Sequence, residues 1–211
     1  MDLAAMREHY GLMGLDESDL AATPMRQFDE WFRSWASTEP YDANLATVAT
    51  VGNDGWPSSR AVLVKGAEER GFVFFTNRTS AKGRDIQASP RAALTFVWRE
   101  IERQIRVVGS VQFLPDAESD AYFASRPRGA QIGAWASDQS TVVASRQELD
   151  DRYAEIERRY PDEVPRPPHW GGYLIRPRTV EFWQGRPNRL HDRLEYRWSG
   201  DGAWTVVRLA P

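Results

Sequence analysis

The chain predicts an α+β protein built on an antiparallel β-barrel. From Leu45 onward, short runs with the two-residue alternation of strands follow one another, joined by turn residues such as Asn53-Asp54-Gly55 and Ser199-Gly200-Asp201-Gly202. Helical spacings occur before these runs and as insertions among them, the pattern of a barrel with flanking helices. The patterns G-x-G-x-x-G, G-x-x-x-x-G-K-[ST] and G-x-S-x-G are absent. Neither a dinucleotide-binding doubly wound sheet, nor a phosphate loop, nor a serine-hydrolase elbow is supported.

Residues 2–13 read as a short helix, broken by Gly11 and Gly14. Thr23-Pro24 reads as the N-cap and first residue of a second helix, whose Met25, Phe28, Phe32 and Trp35 form one apolar stripe. Strands are expected at 45–51, 58–65 and 71–76. A helix should start at Ser80 and stop before Ser89-Pro90, followed by strands at 92–98 and 104–113. Asp116 is the expected cap of a helix running to about Ser125, and Leu149, Tyr153, Ile156 and Tyr160 mark a longer amphipathic helix. Residues 161–168 hold four prolines and read as a linker. Strands at 172–175, 179–183, 189–198 and 203–209 complete the chain.

The 211 residues suffice for one large domain with a substantial core, and 41% hydrophobic content is ordinary for a globular protein. A net charge of −3 argues against general nucleic-acid binding, which needs a basic field. With no Cys, thiol redox chemistry and Cys-ligated metals are excluded, and three scattered His give no metal motif. No apolar run reaches membrane-spanning length, and the first residues lack a basic-then-apolar signal pattern. A cytoplasmic protein without nucleic-acid or membrane partners is the expectation.

Several polar clusters stand out against this background. If 189–198 is a strand, Arg189, His191 and Arg193 share one face. Such a row suits an anionic planar ligand, with a His able to hold or orient a proton, and is also what a solvated strand face looks like. Arg60 and Lys65 bracket the apolar run Arg60-Ala61-Val62-Leu63-Val64-Lys65. Their spacing puts them on opposite faces of a regular strand, so serving one pocket requires a twist, a bulge, or a pocket wrapped round the strand end. In Thr76-Asn77-Arg78-Thr79-Ser80-Ala81-Lys82, a strand end with hydroxyls leads into a helix start bearing a Lys. That is the make-up of a phosphate cradle, and equally of a capped surface helix. Tyr122 and Arg126 share one helical face, as a phosphate clamp or as a helix end with a complementary charge. Gln139-Ser140 adds uncharged donors.

These segments, in this order, resemble the pyridoxine (pyridoxamine) 5′-phosphate oxidase family. The resemblance rests on residues 60–65, Phe74-Phe75-Thr76-Asn77, Glu102-Arg103-Gln104, residues 122–128, 131–135, Gln139-Ser140, Trp170-Gly171-Gly172, residues 181–193 and the closing Arg208-Leu209-Ala210-Pro211. It implies a split β-barrel homodimer with FMN at the interface, oxidising pyridoxine 5′-phosphate or pyridoxamine 5′-phosphate to pyridoxal 5′-phosphate with O2 as acceptor and H2O2 as product. It implies Arg60, Val62, Leu63, Lys65, Phe75, Thr76, Lys82, Gln104, Gln139, Ser140, Trp183 and Arg193 as cofactor-binding. Lys65, Tyr122 and Arg126 are implied as the substrate's phosphate site, and Arg189 and His191 as the substrate-binding, catalytic pair. Residues 1–20, with Arg7 and Tyr10, resemble a segment that closes over the substrate, and 21–211 a single FMN-binding domain.

Three positions depart from the family pattern. Phe75 stands where Tyr is usual, Ala81 where Arg is usual, and Ala130 where a Ser helps bind the substrate's phosphate. Losing a charge-assisted hydrogen bond of about 1.5–3 kcal/mol at each site implies roughly tenfold weaker retention of cofactor and substrate, unless Arg78 or Arg84 compensates. Two other functions fit the resemblance: a phenazine-type flavin oxidase on the same fold, whose members share the Arg-Leu-His motif but not the substrate-phosphate set, and a non-catalytic flavin- or pyridoxal-phosphate-binding module.

Overall fold

The computed structural model describes Gly11 and residues 13–211. The expected helix at 2–13, and with it Arg7 and Tyr10, lies outside the described residues apart from Gly11 and Met13, neither of which is helical. Helix α1 (Pro24–Ala36) starts as expected, with the Thr23 hydroxyl accepting the Arg26 N–H. Its buried face (Met25, Phe28, Trp31, Trp35) closes one side of the core. Phe28 meets Phe72 edge-on at 4.9 Å, Trp31 meets Phe182 at 5.1 Å, and Trp35 stacks on Trp98 at 5.9 Å. Aromatic contacts of this kind add about 0.5–1.5 kcal/mol each beyond burial.

The strands are β1 (Leu45–Val51), β2 (Pro57–Glu68), β3 (Gly71–Asn77), β4 (Arg91–Trp98), β5 (Arg103–Phe113), β6 (Trp170–Gln184), β7 (Asp192–Trp198) and β8 (Trp204–Arg208). Every pairing is antiparallel, in the order β3-β2-β1-β4-β5-β6-β7-β8, and β3 also pairs with β6. That second pairing closes six strands into a barrel and leaves β7–β8 as a hairpin extending from β6. Helix α2 (Ala81–Ala88) follows β3, and α3 (Asp116–Ala124), α4 (Arg128–Ala136) and α5 (Arg146–Arg159) fill the excursion between β5 and β6. No described helix is long and apolar enough to cross a membrane.

The structure corrects four sequence expectations. Residues 172–175 and 179–183 belong to one strand, β6, which runs through Pro177. The β5 partner shifts register between Val108 and Gly109 there. A Cβ on Gly109 would lie 2.1 Å from the Arg176 carbonyl oxygen, so only glycine lets the bulge close against the proline. Strand β7 begins at Asp192, not at 189. Pro187 offers no N–H, and Asn188 and Arg189 have φ of 58° and 62°, a left-handed pair that no strand accommodates. Arg189, His191 and Arg193 therefore do not share a strand face. Asp116 lies in the first turn of α3 rather than at its cap, which is Pro115. Helix α4 has no counterpart among the expected elements, because Gly129 and Gly133 weaken its propensity; it is held by packing of Ile132 and Ala136.

Candidate active site

Strand β2 carries the first wall of a cavity of about 1130 Å³. Arg60, Val62, Leu63 and Lys65 all line it, although a regular strand would divide them between two faces. The cavity wraps the strand, and the register between β2 and β3 shifts between Val64 and Gly66, which makes Lys65 the extra residue of a β-bulge. The bulge re-aims Lys65 toward the same space as Arg60.

The second wall is the end of β3 and the start of α2. Phe75, Thr76 and Lys82 line the cavity, with Gln139 and Ser140 from the loop after α4. Ser80 caps α2, its hydroxyl accepting the Gly83 N–H at 3.3 Å. The Lys82 ammonium is buried and donates to Thr76 Oγ1 at 3.0 Å, Gln139 Oε1 at 3.1 Å and Ser80 Oγ at 3.3 Å, all neutral acceptors. Burial, and then the nearby Arg60 charge, lower its pKa to about 8. Arg60 donates to Thr50 Oγ1 at 2.7 Å and Ser58 Oγ at 2.6 Å.

Tyr122 and Arg126 of the α3 end form the third wall, with Trp170 beside them. Tyr122 stacks on Phe75 at 3.9 Å, and the Arg126 guanidinium lies 4.7 Å from the Trp170 ring centroid. Burial lowers the Arg126 pKa and raises that of Tyr122, and each opposes the other's shift. Arg126 Nη1 is buried without a hydrogen-bond partner, so the guanidinium is held here by the aromatic rings beside it. The described lining thus holds four cations, Arg60, Lys65, Lys82 and Arg126, and no carboxylate. This donor set fits an anionic ligand, and its spread over three walls fits one with more than one anionic group.

Arg78 and Arg84 do not line the cavity. Arg78 lies over the Phe113 ring at 4.9 Å and near Asp116 at 3.6 Å, and exposed Arg84 donates to the Thr79 carbonyl. Neither stands in for the guanidinium missing at Ala81. Ala130 lines the cavity beside Arg126, where it offers no hydroxyl.

Gln104, Trp183, Arg189, His191 and Arg193 lie away from this cavity. Gln104 of β5 pairs with Trp183 of β6, and Trp183 with Arg193 of β7. His191 packs against Trp183 at 4.6 Å, and its Nδ1 accepts the Arg186 backbone N–H at 3.1 Å, which places the proton of the neutral ring on Nε2. Burial and then Arg189 lower its pKa, against the pull of Asp192. Arg193 is committed to Glu181 through two bonds, of 2.7 and 3.0 Å, and to the Ala210 carbonyl at 2.8 Å. Glu181 is buried and also takes Arg106 at 3.2 Å. Breaking a buried charge pair costs about 3–5 kcal/mol, so Glu181→Ala should lower stability by about 3 kcal/mol. Arg106→Ala, with its side chain half exposed, should cost about 1 kcal/mol or less. Urea midpoints of the two variants check this.

Trp170, which carries the resemblance without a role of its own, is a further residue of the site. Its sequence signal is the following Gly171-Gly172, since paired glycines beside an aromatic mark close approach. A Cβ on Gly172 would lie 2.8 Å from Phe75 Cε1 and 2.5 Å from Leu114 Cδ1.

Fold and cavity together define a split β-barrel protein with a cleft lined by cations. Residues 36–160 match the family described as pyridoxamine 5′-phosphate oxidase, and residues 170–211 match the pyridoxine 5′-phosphate oxidase C-terminal dimerisation region. A pyridoxine/pyridoxamine 5′-phosphate oxidase from Cupriavidus metallidurans is 53% identical over 209 residues, covering 99% of each chain. One from a Nocardioides species is 55% identical over 211 residues, covering 100% of this chain and 99% of the relative. Among solved structures, PhzG from Burkholderia lata 383, in complex with tetrahydrophenazine-1-carboxylic acid, superposes with a TM-score of 0.89 at 28% identity, over 97% of this chain and 100% of its own. The chain belongs to the pyridoxamine 5′-phosphate oxidase family, a family of oxidoreductases.

Proposed function

We propose that the protein is an FMN-dependent oxidase that converts pyridoxamine 5′-phosphate or pyridoxine 5′-phosphate to pyridoxal 5′-phosphate, with O2 as acceptor and H2O2 as product. The observation that carries this reading is one carboxylate-free cavity lined by four cations, of which Arg60 and Lys82 are assigned to one phosphate and Lys65 and Arg126, with Tyr122, to a second. Two phosphate esters, one on the cofactor and one on the substrate, match that arrangement.

In this reading Arg60, Thr76, Lys82, Gln139 and Ser140 hold the FMN phosphate end, and Val62, Leu63 and Phe75 contribute to the cofactor wall. Lys65, Tyr122 and Arg126 hold the substrate's phosphate and so fix the plane of its ring. FMN, when bound, supplies the two-electron acceptor that O2 reoxidises. Gln104, Trp183, Arg189, His191 and Arg193 act across a homodimer interface, closing the partner's cavity. The match of residues 170–211 to a dimerisation region supports this. His191 is neutral at pH 7 and orients the substrate through its Nε2–H, while Arg189 stabilises negative charge on the substrate ring. The same reading keeps 21–211 as one FMN-binding domain in a cytoplasmic protein and lets residues 1–20, with Arg7 and Tyr10, cover the substrate. Within that segment Arg208 pairs with Glu17 at 2.7 Å and Asp192 accepts the Leu15 N–H at 3.1 Å.

The test is anaerobic mixing of the FMN-loaded protein with pyridoxamine 5′-phosphate. The yellow absorbance should bleach, and air should restore it with one H2O2 formed per pyridoxal 5′-phosphate. A flavin that stays oxidised with both vitamin phosphates sinks the assignment. It leaves a phenazine-type oxidase if a dihydroaromatic acid bleaches it, and a binding module if nothing does.

A further inference from the structure

The Trp170 indole is held from several sides. The Trp170 backbone is pinned on both sides: its amide N–H donates to the Pro167 carbonyl at 3.0 Å and its carbonyl accepts from Arg166 Nη1 at 2.6 Å. Its ring lies nearly parallel to Phe75 (5.5 Å, 10°) and Tyr122 (6.1 Å, 8°), and Phe123 meets it edge-on at 5.1 Å. Gly172, by lacking a Cβ, leaves Phe75 the room to complete this group. A further neighbour is Arg126, whose guanidinium carbon sits 4.7 Å from the indole centroid and 5.6 Å from the Phe123 ring centroid.

We propose that Trp170 is a positioning residue for the substrate's phosphate, a rigid ledge against which the Arg126 guanidinium rests beside Tyr122. An arginine on a flexible stem loses rotamer freedom when it captures an anion. Stacking on a fixed indole removes that freedom in advance, and it does so without using the N–H groups that the phosphate needs. The partnerless Nη1 of Arg126 is consistent with this: aromatic faces hold the side chain in place, and hydrogen bonds do not saturate it. The proposal deepens the reading of Lys65, Tyr122 and Arg126 as the substrate-phosphate site and rests on it.

The experiment uses the FMN-loaded protein with Trp170→Leu, Trp170→Phe, Arg126→Lys and the double variant Trp170→Phe/Arg126→Lys. Trp170→Leu should raise KM for pyridoxamine 5′-phosphate about five- to thirtyfold, and Trp170→Phe about threefold, with kcat within twofold. Inhibition by inorganic phosphate should weaken by the same factors, while inhibition by unphosphorylated pyridoxal and the Kd for FMN stay unchanged. In the Arg126→Lys background, Trp170→Phe should add nothing. If Trp170→Leu does not fold, Trp170→Phe and the double variant still decide the matter. The ledge role is overturned if phosphate inhibition does not move, if pyridoxal or FMN weakens equally, or if the Trp170→Phe effect persists undiminished in the Arg126→Lys background. Failure of the underlying reading looks different: Arg126→Lys itself would then be silent toward phosphate.

Discussion

Replacing Arg126 by alanine is expected to raise KM for pyridoxamine 5′-phosphate roughly a hundredfold while kcat falls only a few-fold. A hydrogen bond to a charged group is worth about 1.5–3 kcal/mol, and each 1.4 kcal/mol is tenfold in affinity. Arg126 is half buried and its pKa is lowered by that burial, so a bound dianion meets a guanidinium already partly stripped of water. Lys65→Ala should cost less, about tenfold, because Lys65 is exposed and its ammonium is well hydrated before binding. The phosphate group is remote from the carbon that is oxidised, so its loss acts mainly on binding. Steady-state kinetics with pyridoxamine 5′-phosphate and with unphosphorylated pyridoxamine check this: wild type should discriminate strongly between them, and Arg126→Ala should lose most of that preference. Retained discrimination would remove Arg126 from the phosphate site.

The barrel was legible because its signals are local. Strand alternation placed β1, β4 and β5 to within a residue, since each buries alternate side chains in one core, and turn residues placed β3, which is buried on both faces, while β2 runs three residues past its expected end. The 60–65 spacing exposed a conflict that only a bulge or a wrapped cavity resolves, and both occur at Lys65. The 189–193 run misled because Arg-Leu-His-Asp-Arg alternates like a strand. The deciding features were backbone ones, Pro187 and an Asn able to take a left-handed conformation. Periodicity was silent on the fate of Arg193 as well. Its guanidinium is fixed by Glu181, twelve residues away in sequence, and by the Ala210 carbonyl, so its surroundings depend on a sheet register that the sequence does not display. The separation of Gln104, Trp183 and His191 from the main cavity had no sequence signal either. On the proposed reading these residues serve the partner's cavity, and a site assembled across a two-fold axis has no single-chain periodicity to reveal it.

Lys82→Met is expected to weaken FMN binding by roughly 30- to 100-fold at pH 7 and at the same time to raise the melting temperature of the FMN-free protein. Both effects follow from one ammonium buried among neutral acceptors. Its folded pKa, about 8, is below the ordinary value of 10.5, so between those limits the unfolded chain binds more protons than the folded one. Lys82 therefore costs the empty protein stability below about pH 8, and the cost fades as pH rises toward 10.5. Met keeps the apolar stem without the charge, and Thr76 Oγ1 and Ser80 Oγ keep other partners, Gln139 Oε1 at 3.0 Å and the Asn77 carbonyl at 2.7 Å. An anion reverses the balance by favouring the protonated amine. FMN affinity of the wild type should accordingly be highest near pH 7 and fall as pH rises above about 8, by up to about tenfold per unit, with a proton taken up on binding. In Lys82→Met the profile should be flat across that window. Flavin fluorescence titrations from pH 7 to 9.5, with melts of the FMN-free proteins at pH 7 and 10, measure both halves. A wild-type affinity indifferent to pH above 8, or a Met variant less stable than wild type at pH 7, would show that Lys82 is held by its three neutral bonds for structure and not kept in reserve for a phosphate.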